Sequence, residues 1–578
     1  MKLDSNNIER VVTSVGFKST TDFLLKFSLP LIIFSLIFSF VLMKFIHVIP
    51  VYVPILTFFG GTVLAFAYPY VKYDSIKRHI QSNLHFFITY AGTIATMEIS
   101  RASFFRKVAE KTSFGPISDI FKKILYLSKD WNLGFASACR KMSKRTPSKI
   151  LGDFLDRFAI IMDYGEDLDV FLYDEQKAVL DDYSTEYMKS LEIIKLIQDF
   201  FISISVSFAF VFGIALLAPI MMNISLQKIM MMSSAFLIIV DFSLLVAIKN
   251  YIPSDSLFTA LKKKNFDQKN LFMVFVVSLV IGIIIFIVLM FLFPNLMFLM
   301  KFAIAVTPLI IPGVMATNYE SVIVKRDTQF PIFARVLGSA IDIRSGAVIS
   351  SLSSTQVHNF GSLNDLAIKL YKRLKIGSNK FKSWALFSFE SGSNLIDNFS
   401  RIFSESIYLG GKAEKIGEIV SNNMMKQMSL RKKRWQLADS LKGAFYGSLI
   451  GLAATIFVSL SVSERLANLF SVPANVNNQM LSVISNIFPT KTNLDFPLVF
   501  FELSILIIVH SLISAWILKA IEGGSNFAIL IDFIIMVWIG ALAAFFLPDM
   551  INQFLPNVSP IWAINSTSVN VTSSVGLS

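Results

Sequence analysis

Five ionisable side chains stand inside long apolar segments of this chain: Asp241, Lys301, Glu502, His510 and Asp532. Such groups are costly in hydrocarbon, so they usually face other helices, and some serve proton or ion transfer. Glu502 and His510 are eight residues apart, which turns them about 80° away from each other on an α-helix. We therefore expect hydrogen bonds between helices, or contact with a partner's membrane segment, and keep a proton path as the alternative.

The sequence lacks the motifs of several common catalytic centres. It contains no G-x-x-x-x-G-K-[ST] phosphate loop, no H-E-x-x-H pair and no G-x-S-x-G nucleophile turn. Its single cysteine, Cys139, excludes an internal disulfide and a multi-cysteine metal site, and there are only five histidines. We expect no enzyme activity, no cofactor, no metal site and no nucleic acid partner, so the energy for any work must come from another protein.

The composition indicates an integral membrane protein. The chain has 578 residues, of which 54% are hydrophobic and 16% are charged, whereas about a quarter are charged in soluble proteins. The apolar residues collect into runs of about twenty, which is the length of a helix that crosses the hydrocarbon core. The polar start and the long first run argue against a cleaved signal peptide. We predict nine spans, at 24–46, 51–71, 198–222, 229–248, 271–293, 296–317, 441–462, 497–520 and 526–547.

The distribution of Lys and Arg predicts the orientation of these spans. Nearly all basic residues fall in one set of connections, which is therefore predicted to be cytoplasmic: 1–23, 72–197, 249–270, 318–440 and 521–525. Four glycosylation sequons fall on the opposite side, at Asn223, Asn557, Asn565 and Asn570. The N-terminus is thus predicted to lie in the cytoplasm and the C-terminus outside.

Two cytoplasmic segments are copies of one another, and we call them the first domain (72–197) and the second domain (318–440). FGPISDIFKKIL begins at Phe114, and FGSLNDLAIKLY begins at Phe360, 246 residues later. In both, apolar residues recur at i, i+3, i+4, i+7 and i+8, which predicts an amphipathic helix. Each domain is therefore predicted to be a helical bundle.

A second repeated stretch supports the duplication. TPSKILGDFLDRF at 146–158 aligns with SGSNLIDNFSRIF at 391–403, at a separation of 245. Thr146 followed by Pro147 predicts a helix whose N-cap is Thr146. Both domains face the same side, so the repeat is parallel, unlike the inverted repeats of many transporters. The predicted order is an N-terminal segment with spans one and two (1–71), the first domain, spans three to six (198–317), the second domain, spans seven to nine (441–548) and an outer tail (549–578).

The second domain carries the excess positive charge. It has 18 basic and 10 acidic residues, whereas the two are nearly balanced in the first domain. Its basic clusters are candidates for docking an acidic partner, because complementary charge speeds and orients association. The alternatives are a solvated helix face for the first cluster, and positive flanking of a span or contact with anionic lipid for the second. The clusters are Lys369, Lys372, Arg373 and Lys375, and Arg431, Lys432, Lys433 and Arg434.

The seventh span opens with a stripe of glycines at Gly443, Gly447 and Gly451. Glycines at every fourth position share one helix face and let a second helix approach closely. The stripe predicts either tight packing within the monomer or the contact of a homodimer.

Duplicated cytoplasmic helical domains between hydrophobic spans resemble the type II secretion F domain family. The Thr146-Pro147-Ser148 stretch, followed by Phe154, Phe158 and the turn Gly165-Glu166-Asp167-Leu168, is similar to the second half of that domain. The second domain departs from this pattern with Gly410-Gly411-Lys412-Ala413, which indicates that the two domains make different contacts. Nine spans with two such domains resemble the archaeal members, the platform proteins of the archaellum and of adhesive pili.

This resemblance implies a membrane platform beneath a filament. Its cytoplasmic domains would engage a hexameric secretion ATPase, and the platform would convey the motion of the ATPase to pilin-like or archaellin subunits that leave the bilayer. An archaellum platform is the leading hypothesis, and the platform of an adhesive pilus is the alternative. A secondary transporter and a membrane receptor are more distant hypotheses, because the repeat is parallel and the outer segments are small.

Overall fold

The computed structural model describes residues 9, 11–13, 15–17, 19–45, 52–97, 99–221, 226–253, 255–258, 266–470 and 496–554. Every regular element within these ranges is helical, which confirms the predicted all-α membrane fold. The four predicted sequons, at Asn223, Asn557, Asn565 and Asn570, lie outside the described residues.

Near the start of the described chain lie a one-turn α-helix, Thr20–Phe23, and a π-helical turn, Leu24–Ser28. The longer helices of the first half are α1 (Leu29–Phe45), α2 (Tyr52–Ala95), α3 (Arg101–Glu110), α4 (Pro116–Lys129), α5 (Phe135–Ser143), α6 (Lys149–Tyr164), α7 (Leu168–Met221) and α8 (Leu226–Tyr251). Those of the second half are α9 (Phe266–Leu292), α10 (Phe298–Val306), α11 (Ile310–Ile343), α12 (Val348–Thr355), α13 (Asn364–Lys375), α14 (Lys380–Ser391), α15 (Asn394–Tyr408), α16 (Ala413–Phe470), α17 (Phe496–Glu522) and α18 (Ile529–Phe554). Short 3₁₀ turns lie at Thr112–Phe114, Thr307–Leu309, Gly361–Leu363 and Asn526–Ala528.

Eight helical segments in the described part of the chain are long and apolar enough to cross a membrane. They include eight of the nine predicted spans, so the protein is a multi-pass membrane protein. The remaining predicted span, 51–71, falls at the start of α2, which is not among the eight, and the count of nine stays a prediction. The segment predicted at 296–317 consists of α10 and the start of α11, joined by a 3₁₀ turn that contains Pro308.

The helix order confirms the duplication. The first domain runs from the end of α2 through α3 to α6 and into α7, and the second repeats this from α11 through α12 to α15 and into α16. Glycines with left-handed backbone occupy matching turns: Gly115 (φ 57°) matches Gly361 (φ 53°), and Gly165 (φ 77°) matches Gly410 (φ 92°). Side chains with a Cβ are strained in this conformation, which explains why glycine stands at both turns in both copies.

Serine caps begin the homologous helices α6 and α15. The Ser148 hydroxyl accepts from the Leu151 amide at 3.4 Å, and the Ser393 hydroxyl accepts from the Ile396 amide at 3.1 Å. The prediction that Thr146 caps α6 was wrong by two residues. Ser148 keeps an extended backbone, φ −86° and ψ 121°, so Thr146 and Pro147 precede the helix.

Aromatic side chains fill the cores of both domains. In the first domain, Phe104 packs edge to face on Phe158 with ring centroids 5.5 Å apart, and both are fully buried. In the second domain, Trp384 packs on Phe387 at 5.6 Å. Cys139, the single cysteine, is buried in α5, at the position where α14 has Trp384. Its burial raises the pKa of the thiol to about 12.

The described chain forms two compact units. Unit 1 contains 1–188, 253–255 and 326–428, and it therefore includes most of both predicted domains. Unit 2 contains 189–252, 256–325 and 429–578, where most of the apolar spans lie. The predicted domain boundaries at 72–197 and 318–440 stay predictions.

Candidate partner-docking surfaces

Within unit 1, the two domains contact each other through a buried polar cluster. The Tyr90 hydroxyl on α2 donates to Glu405 Oε1 on α15 at 2.9 Å. The Lys111 ammonium forms an ion pair with Glu405 Oε2 and lies 4.4 Å from the centroid of the Tyr90 ring. Tyr90 is fully buried, and the Lys111 side chain is 14% exposed. A carboxylate of the second domain thus neutralises a buried cation of the first.

Burial is the largest cause of the pKa shifts of Lys111 and Tyr90 in this cluster. It lowers the pKa of the Lys111 ammonium, and the Glu405 carboxylate opposes that shift. Burial, followed by the charge of Glu405, raises the pKa of the Tyr90 phenol, which therefore keeps its proton and donates it. The three side chains form one interdependent contact, since the removal of any one changes the environment of the other two.

Further hydrogen bonds extend this contact along both domains. The Ser406 hydroxyl donates to Thr93 Oγ1 at 2.9 Å, and the Asn423 side-chain amide donates to Thr89 Oγ1 at 2.9 Å. Lys426 Nζ lies 3.0 Å from Asp181 Oδ1, and Phe86 packs edge to face on Phe399 with ring centroids 5.3 Å apart. The two domains therefore pack through matched polar groups as well as through apolar area.

The homologous positions could not repeat this cluster. Val336 stands at the position of Tyr90, Val357 at that of Lys111, and Ile160 at that of Glu405. Val357 is 89% exposed and Ile160 is 46% exposed. The Tyr90–Lys111–Glu405 cluster is thus asymmetric, with the cation and the phenol in the first domain and the carboxylate in the second.

In the structure, the first predicted basic cluster consists of three exposed lysines and one arginine that already has an acidic partner. Lys369, Lys372 and Lys375 are exposed on α13, whereas Arg373 is half-buried and forms an ion pair with Glu390, with Nη1 3.2 Å from Oε2. The three lysines follow each other at intervals of three residues and so share one side of the helix. They are the members of this cluster that a partner could reach.

The second predicted cluster, which lies in unit 2, likewise consists of two buried arginines and two exposed lysines. Arg431 donates to the Ser256 carbonyl at 2.9 Å, and Arg434 donates to the carbonyls of Ile521 at 2.5 Å and Ala520 at 3.1 Å. Both arginines are nearly fully buried. Arg434 thereby caps the C-terminal end of α17, where a cation is favoured. The two residues between them, Lys432 and Lys433, are exposed.

The glycine stripe of α16 is exposed. A Cβ placed at Gly443, Gly447 or Gly451 would meet no other heavy atom of the described chain within 4 Å. The alternative of tight packing within the monomer is therefore not seen in that part of the chain. The homodimer contact stays a prediction.

Three of the five ionisable groups in the predicted spans, Asp241, His510 and Asp532, bond between helices as expected. Lys301 instead bonds a loop carbonyl, and Glu502 Oε2 is buried without a hydrogen-bond partner in the described chain. His510 Nδ1 lies 2.7 Å from Asp241 Oδ2, which joins α17 to α8. The Tyr446 hydroxyl donates to Asp532 at 2.5 Å, and Lys301 Nζ donates to the Pro294 carbonyl at 3.0 Å. No cluster of metal-ligating side chains occurs in the described ranges.

Sequence analysis missed one polar cluster of unit 2. Lys519 Nζ lies 3.0 Å from Glu320 Oε2 and 3.3 Å from Glu522 Oε2. Glu320 also accepts from the backbone amide of Ser525 at 2.5 Å. Because Glu320 and Lys519 are 199 residues apart, no local pattern joins them. Glu320 follows the predicted span 296–317, and Lys519 lies at the end of the predicted span 497–520.

Residues 87–216 match the family model described as Type II secretion system (T2SS), protein F. This match and the multi-pass helical fold support a membrane platform of a type IV pilus-like assembly machine. The chain is 32% identical over 560 residues to the flagella accessory protein J of Methanocaldococcus jannaschii, which covers 95% of this chain and 98% of the relative. It is 30% identical over 563 residues to the protein of the same name from Methanococcus voltae, covering 95% and 99%. The chain therefore belongs to the flagella accessory protein J family. No solved structure matches it.

Proposed function

We propose that this archaellum platform couples a hexameric ATPase in the cytoplasm to the insertion of archaellin subunits into the filament. The observation that carries the proposal is the similarity to archaellum accessory proteins over nearly the full length of both chains. The family's role in assembly implies an ATPase and filament subunits as partners in general. The absence of a phosphate loop from the sequence supports a platform that is not itself an enzyme and receives its motion from the ATPase.

We propose that both domains and the N-terminus lie in the cytoplasm and that the C-terminus lies outside, as the distribution of Lys and Arg favours. The exposed Lys432 and Lys433 precede a predicted span, which suits contact with anionic lipid headgroups. The exposed glycine stripe of α16 supports a homodimer, in which two such helices would pack closely.

The second domain is the proposed docking surface for the ATPase. Lys369, Lys372 and Lys375 are exposed and lie on one side of α13. The homologous helix α4 also carries exposed lysines, but Asp119 lies 3.1 Å from Lys122 there, and the first domain as a whole is nearly neutral. An acidic surface of the ATPase would therefore associate preferentially with the second domain.

A matched pair of triple variants tests this proposal. Lys369→Glu/Lys372→Glu/Lys375→Glu reverses the charge of α13, and Lys122→Glu/Lys123→Glu/Lys129→Glu makes the same change in exposed lysines of α4. Binding of the purified ATPase to each platform in nanodiscs is measured at two salt concentrations. We expect the α13 variant to bind at least tenfold more weakly and the α4 variant to bind within threefold of the wild type. Equal loss in both variants would contradict docking on the second domain.

The archaellum is favoured over the adhesive pilus because both relatives carry flagellar names. A deletion strain scored for swimming and for surface attachment separates the two. Loss of swimming with normal attachment is expected, and loss of attachment alone would assign the platform to an adhesive pilus.

A further inference from the structure

The second domain contains an open groove of about 920 Å³ between α12, α13 and the start of α14. Its size is close to the upper end of the range of ligand sites. None of the residues that line it is acidic. The groove is lined by Arg344, Ser354, Lys380 and Tyr408, and by the first two residues of α12, Val348 and Ile349.

Two cations of this groove are held in place but not neutralised. The Arg344 guanidinium bonds to the Ser354 hydroxyl, and Lys380 Nζ lies 4.4 Å from the centroid of the Tyr408 ring. In the described chain, neither cation has a carboxylate oxygen within 4 Å, and both are exposed. The groove therefore presents two positive charges whose own neighbours do not compete for an incoming anion.

The start of α12 adds to the positive potential. Ser345 (φ 51°) and Gly346 (φ 88°) turn the chain into this helix, and no side chain caps its N-terminus. Val348 and Ile349, whose amides have no acceptor within the helix, line the groove. The helix dipole favours negative charge at this end.

The first domain carries the opposite charge at the start of the homologous helix α3. There the Ser100 hydroxyl caps the helix by accepting from the Ser103 amide at 3.3 Å. The adjacent pocket, of about 420 Å³, contains one basic residue, Arg101, which donates to the Glu166 carbonyl at 3.0 Å. Its acidic lining residues are Glu166, Asp167 and Asp169. An anionic ligand would be repelled there and attracted to the groove of the second domain.

We propose that this groove binds an acidic peptide segment of the partner ATPase. The proposal rests on the docking function above and deepens it by naming a second contact, separate from the lysines of α13. A peptide is favoured over a single small anion because two cations and an uncapped helix start line one groove of about 920 Å³, which is much larger than such an anion. A segment with several carboxylates could contact both cations, neither of which has a carboxylate partner of its own in the described chain.

The test uses the full-length protein in nanodiscs of phosphatidylcholine, a lipid without net charge. Arg344→Glu/Lys380→Glu reverses both cations, and Lys122→Glu/Lys123→Glu makes the same change of charge in the first domain. We expect the groove variant to bind the ATPase at least tenfold more weakly, and the control within threefold. A hexaglutamate peptide should compete with the ATPase on the wild type and lose this effect on the groove variant.

A conservative variant distinguishes a loss of binding from a loss of folding. Arg344→Lys/Lys380→Arg keeps both charges and should bind within threefold of the wild type, with the same thermal unfolding profile. If the α13 triple variant loses ATPase binding and the groove variant keeps it, the groove proposal fails while docking on the second domain stands. If neither variant loses binding, both proposals fail. If the groove variant loses only its binding to vesicles that contain phosphatidylglycerol, the groove is a lipid site and the peptide proposal is overturned.

Discussion

The two domains share their backbone signals and differ in their charges. The turns at Gly115 and Gly361 and the caps at Ser148 and Ser393 are the same in both copies, because each is required by a backbone conformation. The surfaces differ: Glu166-Asp167 in the first domain stands where the second has Gly411-Lys412. The residues that shape the helices are thus the same in both copies, while exposed positions differ in charge.

Among substitutions at homologous positions of the two domains, the largest difference in stability is expected at the contact between the domains. Glu405→Ala removes the partner of Lys111, which stays buried, and also the acceptor of the Tyr90 hydroxyl. The loss of one member of a buried pair should cost about 3 kcal/mol in the free energy of local opening. Hydrogen exchange of α15 and of the end of α2 measures this cost.

The matched control for Glu405 is Ile160→Ala, at the homologous position of α6. Ile160 is 46% exposed, so its truncation should change the opening free energy of α6 by no more than about 0.5 kcal/mol. Glu405→Ala/Lys111→Met should recover part of the lost stability, because it removes the unpaired cation as well. Equal effects of the two single alanine variants would show that the polar cluster contributes nothing specific.

A smaller difference in stability is expected between alanine substitutions of the two serine caps. Ser148→Ala removes only the cap of α6 and should cost about 1 kcal/mol. Ser393→Ala removes the cap of α15 and also the hydroxyl that donates to Asp327, a fully buried carboxylate. We expect its cost to be larger by about 1–2 kcal/mol. Exchange rates of the first-turn amides of α6 and α15 report both costs, and a smaller cost for Ser393→Ala would contradict the structural role of its bond to Asp327.

The smallest effect on the fold is expected at Gly447. Gly447→Leu introduces a side chain that meets no described atom, and leucine favours a helix over glycine by about 1 kcal/mol. The homologous position of α7 already holds a larger residue, Ile202. Thermal unfolding should therefore be unchanged or slightly improved, while the mass of the detergent-solubilised particle should fall from dimer to monomer. An unchanged mass would remove the glycine stripe from the dimer hypothesis.

The helical fold and the duplication could be predicted from the sequence because local patterns encode them. Apolar residues at helical spacing marked α4 and α13, and the shared Phe-Gly pairs marked their starts. The cap of α6 was misplaced because Thr146 and Ser148 both have side chains suited to that role, and only the backbone angles decide between them.

Contacts between residues far apart in the chain could not be predicted from the sequence. The basic run from Arg431 to Arg434 looked uniform, yet the helical period buries the two arginines and exposes the two lysines. The contact between Lys111 and Glu405 joins residues 294 positions apart, and no local pattern marks it. The groove that contains Lys380 and Arg344 could not be predicted either, since each is a single cation outside the clusters and the groove forms only when three helices pack together.

The contact of Tyr90 and Lys111 with Glu405 joins residues that each domain carries alone, and this has an evolutionary consequence. A chain with two first domains would set Lys111 against Ile160, and a chain with two second domains would set Glu405 against Val357. Neither combination could neutralise its buried charge. The two halves are thus no longer interchangeable at this contact, because each depends on a residue that only the other half carries.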